Sequence, residues 1–166
     1  SPSYMSAYTA LADVLQRLER PDEAEQILRR AVARNPLHAG THHALVDFLQ
    51  ACGLHTQATE ALSEACTRIP NNMTLWERRI GLLLQANDLN AADQVSRELA
   101  ELYKDGAYAQ LIRARAMREL KGLATRQQVD EAYRRAMDLN TEFVDVVDEY
   151  ADFLCDQGQF SVARKM

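Results

Sequence analysis

Apolar residues recur along the chain at the spacing of an α-helix. Tyr4, Tyr8, Leu11 and Leu15 follow one another at steps of four, three and four positions. These steps place them on one face of a helix, which we predict over about residues 3–18. A second helix is predicted to follow after a short turn, so the segment is expected to fold as an antiparallel helical hairpin.

The same pattern of apolar, small and breaker residues returns after 34 residues. A further step of 34 reaches Trp76, Leu83 and Ala92. Such a period indicates a chain of repeated hairpins, none of which can bury its apolar face without its neighbours. The pairs related by the first step are Tyr8 and His42, Leu11 and Leu45, Leu15 and Leu49, Ala24 and Ala58, Leu28 and Leu62, Ala31 and Ala65, and Pro36 and Pro70.

This order of bulky residue, two leucines, turn, alanine, bulky residue, alanine and proline resembles the tetratricopeptide repeat. The resemblance implies an all-α fold, a right-handed α-α superhelix or solenoid of about five antiparallel helical hairpins. Ala24, Ala58 and Ala92 are expected to be small because two helices cross closely at these positions. One solenoid is expected over residues 1–166, and its approximate repeats are predicted at 5–38, 39–72, 73–106, 110–143 and 144–166.

The pattern changes in the later repeats. Arg79 stands where the first two repeats have leucine, and Ser96 replaces the next bulky residue. The fourth repeat is shifted by about three residues; its second helix is predicted over about residues 125–139 with Val129 in the small-residue position, while the register of its first helix stays open. The fifth repeat is predicted to begin at Val144 and to stop within its second helix, so we expect a segment of a longer protein.

Composition supports a helical chain and limits its partners. Hydrophobic residues make up 47% of the sequence and charged residues 26%, with six glycines and four prolines, which leaves little turn chemistry for a β-rich fold. The net charge of -5 argues against a nucleic-acid surface, which would be basic. The longest apolar stretches fall short of the roughly 18 residues of a membrane helix. We therefore expect no membrane insertion and a cytoplasmic location.

The search for reactive groups predicts no enzyme, no cofactor and no metal site. Three cysteines are too few and scattered for a disulfide framework, and buried thiols are expected. His38, His42 and His43 have helical spacing but no Cys or carboxylate at partner spacing, so His42 is predicted to be a packing residue. No motif of a phosphate loop, nucleophile elbow or zinc protease is present in the sequence.

The resemblance implies that the first helix of each hairpin lines a concave groove. Polar first-helix residues that point away from the apolar stripe are therefore the candidate contacts, and Thr9, Asp13 and Gln16 belong to them in the first repeat. A basic helix with Arg113, followed by an acidic helix, suggests a step in charge that could orient a peptide. The alternative is that the two helices neutralise each other. The candidate binding residues are His43, Asp47, Glu77, Arg78, Arg115, Arg118, Asp145, Asp148 and Asp152.

One function of the family can be tested residue by residue. Tetratricopeptide domains that hold the C-terminal carboxylate of heat-shock chaperones use lysine and asparagine in the first two repeats, and lysine and arginine in the third. The corresponding residues here are Thr9, Asp13, Ala44 and Thr74, and only Arg78 matches. The sequence therefore predicts no carboxylate clamp of that kind.

The predicted function is a protein-interaction scaffold whose groove receives a peptide or a segment of another protein. The alternative is a structural role, in which the solenoid self-associates or spaces domains of a larger protein, including one with a catalytic domain outside this segment. A peptide-binding chain is expected to be monomeric, whereas the mass of a self-assembling one increases with concentration.

Overall fold

The computed structural model describes residues 2–120 and 122–165, with side chains from residue 7 onward. Tyr4 of the predicted apolar stripe thus lies outside the described side chains. The described residues form helices joined by short turns, without a β-strand. The helices are α1 Pro2–Arg17, α2 Pro21–Arg34, α3 Ala39–Ala51, α4 His55–Arg68, α5 Met73–Gln85, α6 Leu89–Leu102, α7 Ala107–Glu119, α8 Arg126–Leu139, α9 Val144–Asp156 and α10 Phe160–Ala163.

The chain divides into two compact units, residues 1–82 and 83–166. The first unit contains α1 to α4 and most of α5, and the second contains the end of α5 and α6 to α10. Consecutive helices pack as hairpins in both units, α1 with α2 and α3 with α4 in the first, and α7 with α8 in the second. The predicted all-α class is confirmed. Among the described residues no helix is both long and apolar enough to cross a membrane.

Small residues mark the helix crossings of the first unit. Ala24 and Ala58 are completely buried, as are the bulky Leu28 and Leu62 four positions after them. An alanine has no side chain beyond Cβ, so it lets two helix backbones approach while the leucine fills the space beside them. The predicted packing role of the alanines is confirmed.

Replacing Ala58 by Leu is expected to lower the free energy of unfolding by about 1 to 3 kcal/mol, because the larger side chain must be forced between packed helices. Urea unfolding followed by far-UV circular dichroism measures this change. Glu60→Leu on the exposed side of α4 is the matched control and should change stability by less than about 0.5 kcal/mol. Equal effects of the two substitutions would contradict the packing role of Ala58.

Aromatic residues dominate the core of the second unit. Tyr133 of α8 is fully buried, and its ring lies 5.6 Å from those of Tyr150 and Phe153 on α9. Val129 is buried in the same cluster, as predicted for the small-residue position of α8. This helix begins with a capping box, in which Thr125 and Gln128 satisfy each other's backbone N–H groups.

The period of 34 continues into the fourth hairpin through a recurring hydrogen bond. His42 Nε2 lies 2.8 Å from the carbonyl oxygen of Pro36, and Trp76 Nε1 donates to the carbonyl of Pro70 at 2.9 Å. Gln110, another 34 residues on, donates from Nε2 to Ala100 O at 2.8 Å. Each side chain thus satisfies a carbonyl near the end of the preceding hairpin. Therefore α7 keeps the register of the earlier repeats.

The shift of three residues lies in the loop that follows α7. Residues 120–125 separate α7 from α8, whereas only residues 52–54 separate α3 from α4. The predicted shift of the fourth repeat thus concerns its second helix alone. Leu120, at the start of this loop, is buried and keeps the longer connection attached to the core.

Ser96 is explained by its neighbour Arg113. The serine is fully buried, and its Oγ accepts a hydrogen bond of 2.7 Å from Arg113 Nη1. Arg113 also forms an ion pair of 2.7 Å with Asp93. A small residue at position 96 leaves room for the arginine, so the departure from leucine exchanges an apolar contact for a charged one.

Two predictions about apolar residues are wrong. Leu11 is 44% exposed, although the equivalent Leu45 is 4% exposed, because Leu45 lies beside Val32 and Ala33 of α2 and no helix of the described chain precedes α1 to cover Leu11. Val144 is also exposed, since it lies on the opposite side of α9 from the buried Val146 and Tyr150.

The prediction of buried thiols holds for only one cysteine. Cys66 is buried within α4, whereas Cys52 and Cys155 are exposed. Both exposed cysteines lie at the C-terminal ends of first helices, just before the turns at Gly53 and Gly158, where the chain leaves the core. Burial therefore depended on the position of each residue relative to the turn.

Candidate functional site

A cleft of about 230 Å³ lies between α1 and α3 of the first unit. We call it the α1–α3 cleft. Both helices are the first helices of their hairpins, and Leu28 of α2 lies at its base. The lining residues are Thr9, Ala12, Asp13, Gln16, Leu28, Ala44, Asp47, Phe48 and Ala51.

The cleft follows from the two-sided pattern of α1. Ala12 and Leu15 face the core, whereas Thr9, Asp13 and Gln16 lie at i, i+4 and i+7 on a neighbouring face. The same arrangement on α3 buries Phe48 and leaves Asp47 exposed. The apolar residues thus form a floor and the polar ones a rim. The structure brings together polar residues that the sequence analysis assigned to two separate repeats.

Arg78 of α5 connects to α3 through a network beside this cleft. Its Nη2 donates to Asp47 Oδ1 at 2.6 Å and to Gln50 Oε1 at 2.8 Å. Its Nη1 lies 3.0 Å from His43 Nδ1. Since a guanidinium can only donate hydrogen bonds, His43 Nδ1 must be the acceptor. Three candidate binding residues, His43, Asp47 and Arg78, are therefore partners of one another, while Glu77 is half-buried on α5.

The network determines the charge of His43. Burial lowers the pKa of His43 below its ordinary value, and the positive charge of Arg78 lowers it further, while Asp47 opposes the shift. A histidine with a lowered pKa stays neutral at pH 7. This agrees with the role of its Nδ1 as an acceptor.

We expect the pKa of His43 to lie below 6.5 and to rise in Arg78→Gln, because the substitution removes a neighbouring positive charge. An NMR titration of the imidazole Cε1–H resonance measures both values. Because the folded pKa lies below the unfolded one, the unfolded chain binds more protons, and the contribution of His43 to stability is lost as the pH falls below about 6.5. A folded pKa at or above 6.5 would contradict the hydrogen bond from Arg78.

In the second unit, the candidate arginines of α7 pair with acids of α9. Arg115 Nε lies 2.9 Å from both carboxylate oxygens of Glu149, and Nη2 lies 2.5 Å from Oε1. Arg118 forms an ion pair of 2.5 Å with Asp156. The guanidinium of Arg115 also lies 5.8 Å from the centre of the Tyr108 ring. The two helices thus neutralise each other at these positions, which is the alternative to a free step in charge.

The remaining predicted acids have a different environment. Asp145, Asp148 and Asp152 are exposed along one side of α9, next to the paired Glu149. The sequence analysis did not single out Glu149 or Asp156 as the partners of the arginines. The signal was a pair of opposite charges about one repeat apart, since the bonded pairs of the two units are separated by 31, 34 and 38 residues.

The three neighbouring histidines have separate environments. His42 is buried, which confirms its predicted packing role, and His43 contacts Arg78. His38 is exposed at the start of α3. Within residues 2–120 and 122–165, no group of three His, Cys, Asp or Glu residues is arranged to hold a metal ion. The polar side chains described above are arranged to recognise a ligand surface.

Comparison with known proteins identifies the type of repeat. Residues 5–48 match the family described as "Tetratricopeptide repeat". No curated protein sequence matches the chain. The family match covers the first hairpin and most of α3, and so includes the residues on both sides of the α1–α3 cleft.

Solved structures extend the likeness to nearly the whole chain. MamA from Desulfovibrio magneticus RS-1 is 16% identical with a TM-score of 0.59, over 97% of this chain and 89% of that one. PilF from Pseudomonas aeruginosa is 22% identical with a TM-score of 0.60, over 99% and 73%. A tetratricopeptide repeat protein from Parabacteroides merdae is 14% identical with a TM-score of 0.61, over 99% and 63%. The predicted resemblance to tetratricopeptide repeats is confirmed, and these structures establish the fold alone.

Proposed function

We propose that this tetratricopeptide-like chain is a protein-interaction scaffold that binds a segment of another protein in the α1–α3 cleft. The observation that carries the proposal is the cleft itself, which joins an apolar floor to a polar rim on two first helices. No catalytic role is proposed, because the polar residues around the cleft are engaged in an ion-pair and hydrogen-bond network and form no nucleophile–base pair.

The size of the cleft favours a peptide over a cofactor. Sites that enclose a small molecule usually measure about 300–1,000 Å³, whereas this cleft has about 230 Å³. It therefore suits one or two side chains of a longer segment that lies across the helices. Its floor is preformed, since Leu28 and Phe48 are buried by the packing of α2 and α3. A preformed floor lowers the entropic cost of binding.

Selection from a phage-displayed library of random nine-residue peptides tests the proposal. The chain should enrich peptides whose binding is lost in Ala51→Trp, because Ala51 is exposed at the cleft and a tryptophan would fill it. Ala33→Trp on the exposed side of α2 is the matched control and should leave binding unchanged. Enrichment that survives Ala51→Trp, or no enrichment at all, would refute binding in this cleft.

Self-association is the second candidate function, and a separate observation favours it. Leu11, Val14 and Leu18 are exposed at steps of three and four along α1, and an apolar stripe of this kind can pack against another helix. Light scattering over a range of concentrations separates the two functions. A scaffold stays monomeric, whereas self-assembly gives a mass that rises with concentration and falls again in Val14→Lys.

A further inference from the structure

We infer that the α1–α3 cleft accepts the side chain of a lysine or arginine from an extended peptide segment. This inference rests on the proposed scaffold function and adds the chemistry of the bound residue. The cleft has two charged lining residues, Asp13 on α1 and Asp47 on α3, and among its described lining residues none is basic. The rim is thus complementary to a positive charge.

The neighbouring arginine leaves this negative character in place. Arg78 directs its nitrogens to Asp47 Oδ1, Gln50 and His43, all on α3, and is not among the residues that line the cleft. The side chain of Asp47 stays 65% exposed with this contact formed. His43 adds no positive charge at neutral pH, because burial and Arg78 lower its pKa. Asp13 is exposed on the opposite wall.

The apolar floor suits the stem of the same side chain. Lysine and arginine carry three or four methylene groups below their charge, and these groups lie along apolar surface when the charged end reaches a polar group. In this cleft the methylenes would contact Ala12, Leu28 and Phe48, while the ammonium or guanidinium group would approach the carboxylate of Asp13. Glutamate in the same place would bring a carboxylate against Asp13 and Asp47, so an acidic peptide is excluded.

Thr9 and Gln16 complete the recognition of a peptide. They lie on the same face of α1 as Asp13, one turn before it and about one turn after it. The amide of Gln16 can donate and accept hydrogen bonds, which suits the backbone of an extended segment crossing α1. The basic residue would therefore anchor the peptide, and these neighbours would contact the backbone.

Four pools of capped nine-residue peptides test the inference. Their central residue is Lys, Arg, Gln or Glu and the other positions are random, and the whole chain captures peptides from each pool. We expect capture from the Lys and Arg pools to exceed that from the Glu pool at least tenfold. The Kd of the best Lys peptide should rise about threefold to tenfold in Asp13→Asn and become less dependent on salt. Glu60→Gln, which removes an exposed acid from α4, should leave this Kd unchanged.

The outcomes separate the inference from the function on which it depends. Peptides captured at the cleft equally from the Gln or Glu pools, or a Kd unaffected by Asp13→Asn, would overturn the basic side chain but leave the scaffold intact. Loss of capture in Ala51→Trp for every pool, with the Lys and Arg pools dominant beforehand, supports both. No capture from any pool would overturn both. Circular dichroism of each variant confirms that the helices are retained.

Discussion

Tyr133→Ala is expected to lower the free energy of unfolding by about 3 to 5 kcal/mol. Tyr133 is the largest side chain that the second unit buries completely, and it stacks against Tyr150 and Phe153. The substitution removes these contacts and leaves a cavity between α8 and α9 that the rigid helices fill only in part. Urea unfolding of the whole chain, followed by far-UV circular dichroism, measures the loss.

Tyr133→Phe is the control for this prediction. The hydroxyl group of Tyr133 is buried and has no hydrogen-bond partner among the described residues. Burial raises the pKa of Tyr133 above its ordinary value, although the nearby Arg118 opposes the shift. Removing an unpaired buried hydroxyl should therefore change stability by less than about 1 kcal/mol. A loss of more than about 2 kcal/mol in Tyr133→Phe would mean that the hydroxyl group is bonded in solution.

Arg115→Glu is expected to destabilise the chain by about 2 to 4 kcal/mol. The substitution removes a two-nitrogen contact with Glu149, in which hydrogen bonds to charged groups contribute about 1.5 to 3 kcal/mol. It also places two carboxylates side by side, at a further cost of about 1 kcal/mol at this partly exposed position. About one third of each side chain is exposed, which keeps the total below that of a buried pair. Thermal and urea unfolding give the change.

Two variants show whether the loss belongs to this pair. Arg30→Glu reverses a charge on the exposed side of α2 and should change stability by less than about 0.5 kcal/mol. The double variant Arg115→Glu, Glu149→Arg restores opposite charges and should recover at least half of the loss. If Arg115→Glu left stability unchanged and instead slowed peptide association, Arg115 would belong to a binding groove, as the candidate list predicts.

The helices themselves could be predicted well from the sequence because their signals are local. The apolar residues of α1, the proline at the start of α2 and the period of 34 residues predicted the hairpins of the first unit. Local signals also located α8, since Thr125 and Gln128 form its capping box. The register of α7 was left open because its evenly apolar sequence favours no single face. Only the hydrogen bond of Gln110 to Ala100 determines it.

The candidate site was predictable only in part. Periodicity placed Asp13, Gln16 and Asp47 on the polar faces of two first helices, but not at one cleft. The charge step between α7 and α9 was visible in the sequence, whereas the pairing of Arg115 with Glu149 was not. The distance between two side chains on different helices depends on crossing angle and rotamer, and neither is encoded in a local pattern.

The sequence by itself determined the repeat, its helices and the alanines at their crossings, because helical periodicity and close packing restrict each position through its near neighbours. The tertiary structure decided which charges are neutralised, which cysteines are exposed and why Leu11 differs from Leu45. These properties depend on residues about one repeat away, or on whether a neighbouring helix is present. A side chain of the same type at the same position in the repeat can therefore be buried in one hairpin and exposed in another.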